Sequence, residues 1–185
     1  RSCSAVNKLI RRELWKESGF QFPKGRYYED LATIPKVMTK TKKIVYLPEV
    51  YYYYLMRDGS IMHSRNFEKN YEDRTWAVDQ LLEYFERENL IETYRNELEY
   101  LVFENTYFVP SKEIVLNDRK SEYLKKFRDY AYNKFPQMNK NYYVQQIAGK
   151  DKILLKLLQY RMYGMMVLMS QLRRMKDRLA AVSRR

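Results

Sequence analysis

The sequence predicts a mainly α-helical protein in which a small α/β piece, residues 1–66, precedes an all-helical region, residues 67–185. Apolar residues recur at three- and four-residue spacing along most of the chain, which is typical of helices. The predicted helices cover residues 7–18, 67–89, 91–108, 118–135 and 151–182, and one more follows Glu29. Two short runs rich in β-branched and aromatic residues, 44–47 and 50–55, lie between turn-forming residues and predict two strands.

Composition narrows the classes of protein to consider. Hydrophobic residues make up 45% of the 185 residues, which is enough for a core. Only five glycines are present, so the clustered glycines of a phosphate-binding loop are excluded. The one cysteine, Cys3, excludes an intramolecular disulfide and fits a reducing compartment, so we expect a cytoplasmic location. The net charge of +12 favours an anionic partner.

Glycine and proline divide the first part of the chain. Gly19 is expected to end the helix over residues 7–18. The helix after Glu29 presents one apolar face, and Pro35 is expected in or near its first turn. That face consists of Leu31, Ile34, Val37 and Met38. Later breaks are expected at Pro110, at residues 117–118, at Pro136 and at Gly149, with a weak strand signal over 142–147. Because the chain opens on Arg1 without a helix start, we expect it to be a piece of a longer protein.

The last predicted helix, 151–182, is basic and amphipathic. Its apolar stripe follows heptad-like spacing, and Lys176 interrupts it. Residues 151–185 hold nine Lys and Arg against two Asp, which gives +7 of the total charge. Three interpretations are open: the stripe packs on helices 67–108, it lies on an anionic membrane surface, or it mediates self-association into a homo-oligomer. The stripe consists of Leu155, Leu158, Met162, Met165, Met169, Leu172 and Leu179.

Two adjacent carboxylates, Glu29 and Asp30, stand where a loop with Pro23 and Gly25 runs into a helix. Acidic residues at a helix start are often caps or complement the helix dipole. A carboxylate in a partly desolvated cleft also acquires a pKa suited to a general base. The pattern alone leaves both interpretations open.

The order of five short segments resembles the C-terminal half of the catalytic domain in family 2 glycosyltransferases. The segments are Asn-Lys-Leu at 7–9, Gly-Phe-Gln-Phe-Pro-Lys-Gly at 19–25, Tyr-Glu-Asp-Leu at 28–31, four tyrosines at 51–54, and Arg-Asp-Gly-Ser-Ile at 57–61. Members of this family are inverting enzymes of the GT-A fold that use nucleotide-diphosphate sugars, and they are common in bacterial polysaccharide synthesis. The resemblance covers about a third of the chain, residues 5–65.

The resemblance implies roles for particular residues. Asp30 would be the general base that deprotonates the acceptor hydroxyl, and Glu29 would tune it or hold the acceptor. Arg57 and Ser60 would border the nucleotide-sugar site, as would Lys8. His63, the one histidine, is the candidate metal ligand.

The resemblance also implies partners. They are a nucleotide-diphosphate sugar, a glycan acceptor and a divalent metal, Mg or Mn, in the full-length enzyme. The family's Asp-x-Asp metal motif does not occur in the sequence. We therefore expect the donor-binding half to lie upstream, and the isolated chain to hold no metal and to be inactive.

The alternative function is a non-catalytic basic helical module that binds a membrane surface, a partner protein or nucleic acid. Nucleic acid is disfavoured, because consecutive tyrosines on a strand point to opposite faces and some would have to be core. A helix-turn-helix or RNA-binding signature is also absent from the sequence. A membrane-binding last helix would place the protein on the inner face of the cell membrane.

Overall fold

The computed structural model describes residues 3–55 and 66–182, and the mainly α-helical prediction is confirmed. The chain divides into two compact units, Arg1–Tyr94 and Arg95–Arg185. The boundary at residue 66, between a catalytic-domain piece and a helical extension, stays a prediction.

The described residues of the first unit form the helices α1 (Arg12–Ser18), α2 (Glu29–Thr39) and α3 (Phe67–Arg87). Gly19 ends α1 as predicted, with a left-handed φ of 68° that favours glycine. The predicted start of α1 at residue 7 is wrong, because the helix begins at Arg12. Leu9, which lies within the predicted helix but before the observed one, is 86% exposed. A short helix depends on packing for stability, and this end has no apolar surface to cover it.

The core of the first unit lies between α2 and α3. The face predicted for α2 is buried except for Met38, which is half-buried, and it meets a buried face of α3. Pro35 lies inside α2 beyond its first turn, contrary to expectation. Pro35 has no N–H to donate to the Leu31 carbonyl, so α2 lacks one backbone hydrogen bond at that turn. The buried residues are Leu31, Ile34 and Val37 on α2, and Ala77, Val78, Leu81, Tyr84 and Phe85 on α3.

The two predicted strands, 44–47 and 50–55, do not form in the described part of the chain. Both runs are irregular, and their side chains are exposed. Tyr53, for example, is 79% exposed. A strand is stabilised by hydrogen bonds to a neighbouring strand and by a buried face, and this segment has neither. The composition signals strand propensity, which is not sufficient without a partner.

In the described part of the second unit, every secondary-structure element is a helix. Its core is centred on Phe103 and Phe127, which are fully buried, with Leu98, Ile114 and Met138. The α-helices are α4 (Arg95–Phe103), α5 (Val109–Asn117), α6 (Tyr123–Lys134), α7 (Tyr142–Gln145), α8 (Gly149–Gln159) and α9 (Tyr163–Val182). A π-helical segment, Glu104–Phe108, joins α4 to α5, and a 3-10 turn, Met138–Lys140, precedes α7.

Three predictions fail in this unit. Pro110 does not break the helix, because the π segment directly before it reorganises the backbone ladder and leaves Pro110 in the first turn of α5. The weak strand signal over 142–147 falls on α7, which Asn141 caps by accepting from the N–H groups of Tyr143 and Val144. The helix predicted over 151–182 is interrupted at Tyr160–Met162, where Arg161 has a φ of 56°.

The interruption at Arg161 separates two halves of the predicted apolar stripe. Leu155 and Leu158 on α8 are buried, whereas Met165 and Leu172 on α9 are exposed. The half of the stripe on α8 is therefore buried and the half on α9 is exposed, and packing of the stripe on helices 67–108 stays a prediction. None of the helices in the described chain is both long and apolar enough to cross a bilayer.

Candidate functional site

The candidate site lies at the start of α2. Tyr28 occupies the N-cap position with φ 62° and ψ 30°, and its side chain makes no capping bond. Glu29 and Asp30 follow in the first turn, where negative charge is favoured by the helix dipole. Asp30 Oδ1 accepts from the Leu31 N–H at 2.8 Å. Neither carboxylate is the N-cap residue itself.

Asp30 is half-buried, and burial raises the pKa of its carboxyl above the ordinary value. The negative charge of Glu29 raises that pKa further. The Leu31 N–H and the positive charge of Lys8 lower it, but burial prevails. A carboxylate with a raised pKa is a better proton acceptor than an exposed one, as a general base requires.

Lys8 lies within electrostatic range of Asp30, so the structure brings together three of the predicted site residues. Its Nζ donates to the Ser4 carbonyl and to Asn7 Oδ1, both at 2.8 Å. Burial lowers the pKa of Lys8, while electrostatic interactions with Cys3 and Asp30 oppose this shift. Lys8 therefore adds a cation beside the candidate base.

Asp73 on α3 anchors the loop that leads to the two carboxylates. Its side chain is 1% exposed. One carboxylate oxygen accepts from Arg26 at 2.9 Å, and the other accepts from the Tyr27 N–H at 3.1 Å. Lys69 Nζ lies 2.9 Å from that second oxygen. Burial alone would raise the pKa of Asp73, but these donors outweigh it and hold the pKa below its usual value.

The role of Asp73 was not predicted, although the sequence carries a signal for it. Asp73 stands four residues before Ala77 and eight before Leu81, both of which lie on the apolar face of α3. A carboxylate on a face that is otherwise apolar indicates a buried, paired charge. Helical spacing indicates Lys69, four residues earlier, as one partner, whereas Arg26 is too distant in the chain to be predicted.

Stacked cations fix the side chains of the same loop. Lys69 lies 4.6 Å from the ring centroid of Tyr27, and Arg74 lies 4.3 Å from that of Tyr28. The left-handed backbone of Tyr28 costs about 1–3 kcal/mol in a residue that is not glycine, so its surroundings must impose it. The contacts from α3 on either side of Tyr28 supply that restraint, and they fix the direction in which Glu29 and Asp30 enter α2.

The remaining predicted site residues, Arg57, Ser60 and His63, lie outside the described residues. Within residues 3–55 and 66–182, His, Cys, Asp and Glu form no group of three or more able to hold a metal ion. His63, the candidate metal ligand, is not among these residues, so the divalent metal that the resemblance implies stays a prediction.

Comparison with known proteins shows a partial similarity to a glycosyltransferase. The chain is 30% identical over 112 residues to the glycosyltransferase GlyG of Streptococcus pneumoniae serotype 4 (strain ATCC BAA-334 / TIGR4). The aligned region covers 50% of this chain and 34% of that protein, so the chain matches about a third of its relative's length. No protein-family model and no solved structure matches the chain. The chain is thus similar to part of a glycosyltransferase.

Proposed function

We propose that the chain is the acceptor-side part of an inverting glycosyltransferase that moves a sugar from a nucleotide-diphosphate donor to a glycan acceptor. Asp30 acts as the general base. Its carboxylate takes the proton from an acceptor hydroxyl while the hydroxyl oxygen bonds to the anomeric carbon. The bond from that carbon to the diphosphate breaks, and the nucleoside diphosphate leaves with the electron pair. Attack opposite the leaving group inverts the anomeric configuration.

One observation carries this proposal: a half-buried carboxylate with a raised pKa, Asp30, is held on a rigid loop-to-helix junction. The similarity to a glycosyltransferase supports the reaction class. Asp73 supports the geometry, because it ties the preceding loop to α3 through two hydrogen bonds. A general base needs this kind of fixed position to lie within reach of the attacking hydroxyl.

Other groups have secondary roles in the proposal. Glu29 raises the pKa of the base, and Lys8 offers a cation to an anionic group of the substrate. Arg57 and Ser60 bind the diphosphate of the donor, since a guanidinium matches phosphate geometry. The metal of the full-length enzyme would take His63 as a ligand. The acceptor is a bacterial cell-surface polysaccharide.

The test replaces Asp30 by Asn in the full-length native protein and measures transfer with a panel of nucleotide sugars. Asn keeps the size and loses the proton-accepting charge, so kcat is expected to fall about 10²–10⁴-fold, the usual contribution of a general base. Glu13→Gln is the matched control, because Glu13 is an exposed carboxylate in the first turn of α1. Near-wild-type turnover in Asp30→Asn would show that Asp30 is not the base.

A further inference from the structure

An exposed apolar face runs along α9. Residues at three- and four-residue spacing lie on one face of a helix, and five such residues are exposed on α9. Leu168 is 53% exposed and Leu172 is 56% exposed. Met166, which points away from this face by its position on the helix, is buried in the second unit. The helix therefore packs on one side and leaves an apolar face uncovered on the other. That face consists of Met165, Leu168, Met169, Leu172 and Met175.

The charges on α9 are mostly positive, since four of its five charged residues are Arg or Lys and the fifth is Asp177. Arg173, Arg174 and Lys176 are exposed, and no acidic residue occurs between Asp151 and Asp177. Such a face needs a partner that offers both an apolar surface and negative charge. A second copy of the chain would bring the same positive charges to the contact, which disfavours it.

We propose that α9 lies in the plane of an anionic lipid membrane surface, with its Met and Leu face at the acyl boundary and its Arg and Lys side chains among the headgroups. A helix with one apolar face and a basic remainder binds membranes in this way. Each basic residue near an anionic surface strengthens the attraction. Long basic side chains beside the apolar face reach the headgroups while the face itself is buried.

The position of α9 in the chain fits this role. The left-handed turn at Arg161 ends the run of buried leucines on α8, so the apolar face of α9 does not continue the core of the unit. Leu155, Leu157 and Leu158 are buried before the turn, and after it Met166 is buried on the side of α9 away from the exposed face. The stripe after the turn is therefore available for an external surface.

The experiment measures co-sedimentation of the full chain with vesicles of phosphatidylcholine alone and of phosphatidylcholine with phosphatidylglycerol. We expect binding to the anionic vesicles only. The double variant Arg174→Glu/Lys176→Glu is expected to weaken that binding at least about tenfold, since each basic residue contributes near the surface. The double variant Leu168→Ser/Leu172→Ser is expected to weaken it by about tenfold or more, because apolar burial is lost. Circular dichroism checks that each variant keeps its helix content.

Two matched controls separate a site effect from a general one. Leu116→Ser/Ile153→Ser removes two exposed apolar side chains of the same unit outside α9. Lys120→Glu/Lys140→Glu makes the same change in charge on exposed residues elsewhere in that unit. Both controls are expected to lose less vesicle binding than the α9 variants.

Three outcomes would overturn the proposal: equal binding to neutral and anionic vesicles, control variants that lose as much binding as the α9 variants, or wild-type binding by Leu168→Ser/Leu172→Ser. A dimer that forms without vesicle binding, and that this last variant abolishes, would instead assign the face to a second copy. None of these measurements needs a sugar donor, so the outcome is independent of the proposed transfer reaction.

Discussion

The carboxylate of Asp30 is influenced by two neighbouring charges of opposite sign. Glu29 raises its pKa and Lys8 lowers it. If Asp30 is the base, transfer requires its ionised form, so kcat/KM rises as pH rises through its pKa. We call this rise the acid limb of the pH profile. Glu29→Gln is therefore expected to move the acid limb to lower pH, and Lys8→Met is expected to move it to higher pH.

These opposite displacements are measured as pH profiles of kcat/KM in the full-length native protein. Glu13→Gln, which changes a carboxylate on α1, is expected to leave the limb in place. Displacement of both variants in the same direction would mean that a group other than Asp30 titrates.

The raised pKa of Asp30 also leads to a prediction for the stability of the fold. Its folded-state pKa is raised, so the fold favours the protonated form, and the stability that this gives is lost as pH rises through that pKa. Asp30→Asn removes the cost of a partly buried charge and is expected to unfold at an equal or higher temperature than wild type at pH 7. The difference should shrink below about pH 4, where the unfolded carboxyl is protonated as well. Thermal unfolding across pH measures it.

A lower melting temperature for Asp30→Asn at pH 7 would show that the carboxylate stabilises the helix start. A higher one, combined with lost activity, is the trade-off expected where a functional group is held at a cost to stability.

Asp73 joins α3 to the loop before α2, and its pKa is shifted in the opposite sense. Its folded-state pKa is lowered, so its contribution is present above the unfolded value and is lost as pH falls through the folded one. Asp73→Asn is expected to lower the free energy of unfolding at pH 7 by about 2 kcal/mol, the range for hydrogen bonds to charged groups. Arg26 and Lys69 stay partly exposed, which keeps the loss below that of a fully buried pair.

Denaturant unfolding measures this loss, and Glu72→Gln is the control. Glu72 is the exposed neighbour of Asp73 on α3, and its substitution is expected to change stability by less than about 0.5 kcal/mol. Equal effects from the two variants would contradict the anchoring role of Asp73. Asp73→Asn should also lower the rate of sugar transfer, because the loop that sets the direction of Asp30 would lose its attachment to α3.

Helix features that are encoded by residues close together in the sequence could be predicted, and the others could not. Gly19 and the apolar face of α2 are encoded within a few residues, and both agree with the structure. The turn at Arg161 has no glycine or proline to announce it, so the sequence predicts a continuous helix there. The π segment likewise has no local signature beyond Pro110.

In the candidate site, too, features encoded by neighbouring residues could be predicted and features that depend on distant residues could not. The pair Glu29 and Asp30 is visible because the residues are adjacent, whereas the bond from the Tyr27 N–H to Asp73 spans 46 residues of sequence. Tertiary contacts of this kind determine where the loop is fixed, and periodicity does not contain them.

The two proposals concern different compact units. The candidate base lies in Arg1–Tyr94, which has its own core between α2 and α3, and the apolar face of α9 lies in Arg95–Arg185. Transfer and membrane binding can therefore be lost separately. Variants of α9 are expected to keep the acid limb of the pH profile, and variants of Asp30 are expected to keep vesicle binding.

The exposed run over residues 44–55 connects the fold to the proposed function. Its tyrosines and β-branched residues favour strands, yet the described chain offers no neighbouring strand, and its side chains are exposed. Backbone amides without such hydrogen bonds exchange with solvent quickly, whereas amides in the core of α3 open only with the unit. In the 185-residue chain, hydrogen exchange is therefore expected to be fast over 44–55 and slow over 77–85.

In a full-length glycosyltransferase the two runs would add to a sheet, so protection over 44–55 should appear there. Fast exchange over 44–55 in the full-length protein as well would contradict the prediction of two strands. It would also contradict the part of the resemblance that lies after α2.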